Sequence, residues 1–128
     1  MNTALRWGLI FCALSVVTGA FGAHALKKVL SVTALQNWET ASRYQFYHGI
    51  GLLIAGVFYG KPPIIAWAWS ARFFIAGILL FSGSLYAMAL SEISGIRLIW
   101  LGPVTPVGGL CFIAGWLSPL FLRNAGKH

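Results

Sequence analysis

The sequence predicts an all-α fold: an integral membrane four-helix bundle with short loops and an interfacial helical start to the second helix. Three features carry that prediction. Four stretches hold no charged residue, Trp7–Leu26, Tyr44–Gly60, Phe73–Ser91 and Leu98–Leu122. A bilayer core about 30 Å thick is crossed by about 20 apolar residues at about 1.5 Å rise each. Every Lys, Arg and Glu falls between or beyond these runs, and only 9% of the chain is charged while 59% is hydrophobic. Soluble domains carry about 25% charged residues. The whole chain, 1–128, is read as a single membrane domain, because the four runs leave no room for a soluble one.

The first helix is placed at about 6–26. Its start, with Arg6, an apolar run and Ala23-His24-Ala25, has the look of a cleavable leader. Gly19 and Gly22 interrupt the run, so it is read as a retained helix. Gly8, Cys12, Ser15, Gly19 and Gly22 follow the spacing of one helical seam. In a bilayer such small residues let helix backbones approach closely.

An interfacial helix continuing into the second helix is placed at about 34–60. Thr33 with Gln36 fits a capping box, and Glu39 with Arg43 is an i,i+4 pair in the favourable order. Trp38 suits headgroup depth. Gly56-x-x-x-Gly60 supplies a packing seam, and Lys61-Pro62-Pro63 ends the helix. The third helix, about 66–91, follows Trp67 and Trp69 and carries Ser70, Gly77, Ser84 and Ser91. The fourth, about 103–122, begins at Pro103 and carries Gly108, Cys111, Gly115 and Ser118. Cys12 and Cys111 sit at different depths and are read as packing residues rather than a disulfide. A faint repeat pairs Gly49, Ile54, Ala55 and Gly56 with Gly108, Ile113, Ala114 and Gly115. It fits either a duplicated two-helix unit or chance likeness between Gly/Ala-rich helices.

The net charge of +7 does not imply nucleic acid, because the basic residues stand singly at helix ends. They set topology instead. Arg6, Lys61, Arg72, Arg123 and Lys127 fall on the side of the termini, and Lys27, Lys28, Arg43 and Arg97 on the other. The larger basic count places both termini in the cytoplasm.

The polar side chains gather on the face opposite the termini: His24, Glu39, Arg43, Tyr44, Gln45, His48, Ser84, Glu92 and Thr105. Strongly polar groups in spans usually face the bundle interior and mark function. A bland reading stands beside this one: His24 and His48 cap helix ends or bond carbonyls, and Gln45 links two helices. The pair His24 and His48 is the one arrangement that suits haem or a metal. Two histidines and two acids at no recognisable spacing fall short of a zinc site, so no metal or cofactor is expected. No Asp is present to complete a nucleophilic triad, and no glycine-rich phosphate loop precedes a soluble helix. The chain is expected not to be an enzyme.

Four blocks recur in order: G-A-F-G-A-H-A-L-K at Gly19–Lys27, W-E-T-A-S-R-Y-Q-F-Y-H at Trp38–His48, L-F-S-G-S-L-Y at Leu80–Tyr86 and G-P-V-T-P-V-G-G at Gly102–Gly109. With them the whole chain resembles the YgdD/YwdK family of small bacterial inner-membrane proteins, the domain of unknown function 423. The resemblance implies a four-helix protein of the inner (plasma) membrane and supplies no catalytic residues. The leading expectation is a non-enzymatic membrane component that binds a partner membrane protein, a lipid or a small molecule at the polar cluster. The rivals are a small transporter or channel subunit acting as a homo-oligomer, and a haem- or metal-binding redox subunit.

Overall fold

The computed structural model describes residues 1–62 and 64–122. Pro63, Arg123 and Lys127 lie outside them. Four helices carry the described chain: α1, Thr3–His24; α2, Val32–Phe58; α3, Ile64–Ser94; and α4, Val104–Phe121. Short 3-10 turns at Leu26–Lys28 and Ile99–Leu101 lie between them. α1, α3 and α4, the first and last with their adjoining 3-10 turns, are long and apolar enough to cross a membrane. α2 is not, because Arg43, Gln45 and His48 interrupt its apolar run.

That polarity explains the arrangement. α1 packs along α2, α2 packs on α3, and α3 packs on α4. The least apolar helix is therefore flanked by two others. Eleven α2 residues are buried, against five in α1 and four in α4. A polar side chain facing lipid leaves its hydrogen-bonding groups unmet. Turned toward a neighbouring helix, the same group finds a carbonyl or hydroxyl.

The glycines decide how close the helices come. A Cβ on Gly8 would lie 2.7 Å from Leu53 Cδ2, and one on Gly56 2.6 Å from Leu5 Cγ. On Gly22 it would meet Trp38 Cδ1 at 2.6 Å, and on Gly19 the Ser42 hydroxyl at 3.2 Å. Ser15 is buried in the same α1 face. Between α3 and α4, Gly77 lies under Phe112, Gly115 under Phe74, and Gly108 against the Phe81 backbone. The paired residues Gly49 and Gly108, like Gly56 and Gly115, each face the preceding helix.

α3 widens into a π turn over Ile78–Ser82. Gly108 of α4 packs against this turn, at Phe81, and the Ser82 hydroxyl donates to the Ala41 carbonyl of α2 at 2.7 Å. Single π turns inside α-helices are frequent at functional sites.

Side-chain caps account for two of the differences between the observed helix ends and the sequence reading. α2 is capped by Ser31, not Thr33: the Ser31 hydroxyl accepts from the Ala34 N–H at 3.2 Å. Glu92 selects it, accepting from the Ser31 N–H and hydroxyl at 2.7 Å each. α1 begins at Thr3 because Asn2 caps it, accepting from the Leu5 N–H at 3.0 Å. The Asn2 amide also donates to the Gly56 carbonyl at 2.8 Å, which ties the start of α1 to the last turns of α2. Pro103 is the N-cap of α4 and Pro106 lies in its first turn, so neither breaks the helix. Cys12 and Cys111 are both free thiols.

Candidate functional site

The nine polar residues do not form one cluster. They separate into a buried network, a part-buried hydroxyl pair, an aromatic stack and an exposed rim.

The buried network centres on Gln45, which is 4% exposed. Its side-chain oxygen accepts from the Tyr86 hydroxyl at 2.8 Å, and its amide donates to the Phe11 carbonyl at 2.9 Å. Gln45 thus joins α1, α2 and α3 through one side chain. With the Tyr86 proton directed at Gln45, the phenol oxygen accepts from the Thr18 hydroxyl, 2.9 Å away. The Ser42 hydroxyl donates to the Ser15 carbonyl at 2.8 Å, and the Trp38 indole N–H donates to the Thr18 carbonyl at 2.7 Å. Trp38 packs edge-on against Tyr86, with ring centroids 4.6 Å apart. Thr18, Trp38, Ser42 and Tyr86 were not among the polar cluster read from the sequence. The usable signal was Tyr86 itself, since a phenol within a span needs a partner.

Ser84 and Thr105 form the second pair, their hydroxyl oxygens 2.6 Å apart across α3 and α4. The Ser84 hydroxyl also contacts the Phe81 carbonyl at 2.9 Å.

His48 is 5% exposed and lies flat on Phe112, ring centroids 3.5 Å apart and planes at 8°. Its Nδ1 sits 2.7 Å from the Tyr44 carbonyl, so Nδ1 carries the proton and donates. Phe74 and Trp116 complete the aromatic surround at 5.6 and 5.9 Å. Tyr44 is exposed, its ring 4.7 Å from Phe81.

His24, Glu39, Arg43 and Glu92 are exposed. His24 lines a shallow depression of about 650 Å³ with Lys27 and Lys28. The helix register separates the two histidines. Gly22, just before His24, meets Trp38, and His48 lies ten residues further along α2, about 15 Å at 1.5 Å per residue. The structure therefore does not bring the two histidines together. Among the described residues no group of three His, Cys, Asp or Glu side chains is placed to hold a metal.

The two hydrogen bonds from Ser31 hold the Glu92 carboxyl below the usual carboxylate range. Glu92 lies beyond the charge-free run of α3, at the exposed end of the helix. Among the described residues, no buried side-chain nitrogen or oxygen lacks a hydrogen-bond partner. Trp38, Ser42, Gln45, Ser82 and the Ser84–Thr105 pair hold helices together, whereas His48 bonds a carbonyl of its own helix. In membranes such interhelical bonds contribute about 0.6 kcal/mol each, up to about 2.

A family described as protein of unknown function, DUF423, matches residues 18–109. A UPF0382 membrane protein of Staphylococcus haemolyticus is 48% identical over 117 residues, 91% of each chain. One from Staphylococcus saprophyticus is also 48% identical, over 118 residues covering 91% of this chain and 92% of its own. A Staphylococcus aureus counterpart is 44% identical over 117 residues, again 91% of each chain. No solved structure matches.

Proposed function

The chain belongs to the DUF423 family of membrane proteins, and we propose that it is a non-enzymatic component of the bacterial inner membrane. In this reading it crosses the membrane four times, keeps both termini in the cytoplasm and binds a partner polypeptide through the opposite face. One observation carries the reading. On that face His24, Lys27, Lys28, Glu39 and Arg43 stand exposed, while Trp38, Ser42 and Gln45 beneath them are engaged in hydrogen bonds to α1 and α3. Exposed charge suits recognition of another surface. Chemistry on a substrate would call instead for a polar group held in a cleft and left free to react.

A small transporter or channel subunit is the second reading: a repeat of the two-helix unit would favour it, with Gly49 and Gly108, and Gly56 and Gly115, each facing the preceding helix, whereas Pro103 and Pro106 open α4 rather than break it.

Native mass spectra of the protein released from nanodiscs of its own membrane test the proposal. The expected result is a stoichiometric polypeptide partner, either a second copy or another chain. It should be lost in a Lys27→Gln/Lys28→Gln/Arg43→Gln variant. Bare protein, or a bound partner indifferent to those substitutions, contradicts it.

A further inference from the structure

α1 and α3 both pack on α2 but make no extensive contact with each other. The space between them forms two cavities on one strip. The first, about 470 Å³, lies at the end nearest the N-terminus and is lined by Arg6 of α1 and by Ala68, Ala71, Arg72 and Ile75 of α3, with Ile75 the furthest in along the helix. The second, about 260 Å³, is lined by Phe11 and Leu14 of α1 and by Ile78 and Leu79 of α3. On α3 the lining positions 68, 71, 75, 78, 82 and 86 recur every three or four residues, so they share one helix face. The strip is closed at its far end by the Thr18–Tyr86 hydrogen bond. From Arg72 to Tyr86 it runs about 21 Å at 1.5 Å per residue, longer than one leaflet's half of a core about 30 Å thick.

We propose that this groove holds one anionic phospholipid from the leaflet on the side of the termini. Its phosphate sits between the Arg6 and Arg72 guanidinium groups, and an acyl chain runs inward over Ile75 and Leu79. The charge is complementary. Both arginines are exposed, and the chain's only acids, Glu39 and Glu92, lie at the other end of the fold. Arginine offers a planar fork that meets two phosphate oxygens at once. The Arg72 guanidinium lies over the Trp69 ring, 5.0 Å from its centroid, which limits the orientations it samples. The apolar shaft below the arginines distinguishes a lipid from a free anion. This site is separate from the partner face proposed above and stands or falls without it.

Native mass spectrometry from nanodiscs of defined composition tests the site. The lipids are phosphatidylglycerol and phosphatidylcholine with identical acyl chains. The wild-type protein should retain one phosphatidylglycerol in preference to phosphatidylcholine. Arg6→Gln/Arg72→Gln should reduce that preference at least about tenfold, as expected for loss of two charge-assisted contacts. Arg6→Lys/Arg72→Lys, which keeps the charge, should retain most of it. Ile75→Trp, which fills the shaft and leaves both arginines in place, should also reduce retention. Equal retention of the two lipids, or no change in the glutamine variant, overturns the proposal. Displacement of the lipid by millimolar inorganic phosphate would show a free-anion site and overturns it equally.

Discussion

Glu92 clasps Ser31 with both carboxylate oxygens, one on the backbone N–H and one on the hydroxyl, each at 2.7 Å. The residues are 61 positions apart, and the contact pins the start of α2 to the end of α3. Because Ser31 also caps α2, a single carboxylate fixes both the helix start and the Lys27–Ser31 connection before it.

The clasp should be pH-dependent. The native Glu92 carboxyl lies below its ordinary value of 4.5, so its stabilising effect is complete above that value. It is lost as pH falls through the lower native value, where protonation removes the charge from the acceptor. The protection factor of the Ser31 amide in hydrogen exchange should fall across that acidic window. Glu92→Gln should lower protection at neutral pH and abolish the acid dependence. An acid dependence unchanged in Glu92→Gln would assign it to another group.

Gln45 and Tyr86 should behave as a coupled pair. Gln45→Leu removes the acceptor for the Tyr86 phenol and the donor to the Phe11 carbonyl. It should destabilise the fold by about 1 kcal/mol, within the range for membrane hydrogen bonds. Tyr86→Phe alone should cost a similar amount, and the double variant less than the sum. Unfolding in mixed micelles measures the cycle, and strict additivity would show that the two side chains do not share a bond.

Adjacent glycines should differ sharply. A Cβ on Gly108 runs into the Phe81 backbone at the π turn, whereas on Gly109 its nearest neighbour is 3.9 Å away. Gly108→Ala should therefore destabilise by about 1–3 kcal/mol through overpacking, and Gly109→Ala should be near neutral. The same unfolding assay compares them.

The separation of His24 from His48 yields a spectroscopic prediction. Protein purified from haem-replete membranes should show no Soret band that depends on both histidines. A band lost equally in His24→Ala and His48→Ala would restore the bis-histidine reading.

The helices were legible because apolarity must be continuous over about 20 residues to cross a bilayer, and no side-chain detail is needed to see that. Glycine spacing marked the contact faces for the same reason: close approach depends on a missing Cβ. The site was less legible. Gln45 and His48 looked alike, as polar residues inside a span, yet one binds three helices and the other lies in an aromatic stack. The difference comes from which residues of α1, α3 and α4 fall opposite them, a property of register. The Ser31 cap was missed because its partner, Glu92, is remote in sequence, while the local pattern favoured Thr33. Nothing in the residues Ile78–Ser82 announces a π turn; Gly108 accommodates it from another helix.

The account turns on α2, which is too polar to cross a membrane by its own hydropathy and is placed between α1 and α3. Cysteine accessibility in intact cells tests this most directly. In a Cys12→Ala/Cys111→Ala background, Thr33→Cys should react with a membrane-impermeant maleimide from outside. Lys61→Cys should react only after the membrane is opened, and Ile54→Cys should be unreactive in both conditions. Reaction of positions 33 and 61 from the same side would show that α2 does not cross, and would contradict the four-span arrangement.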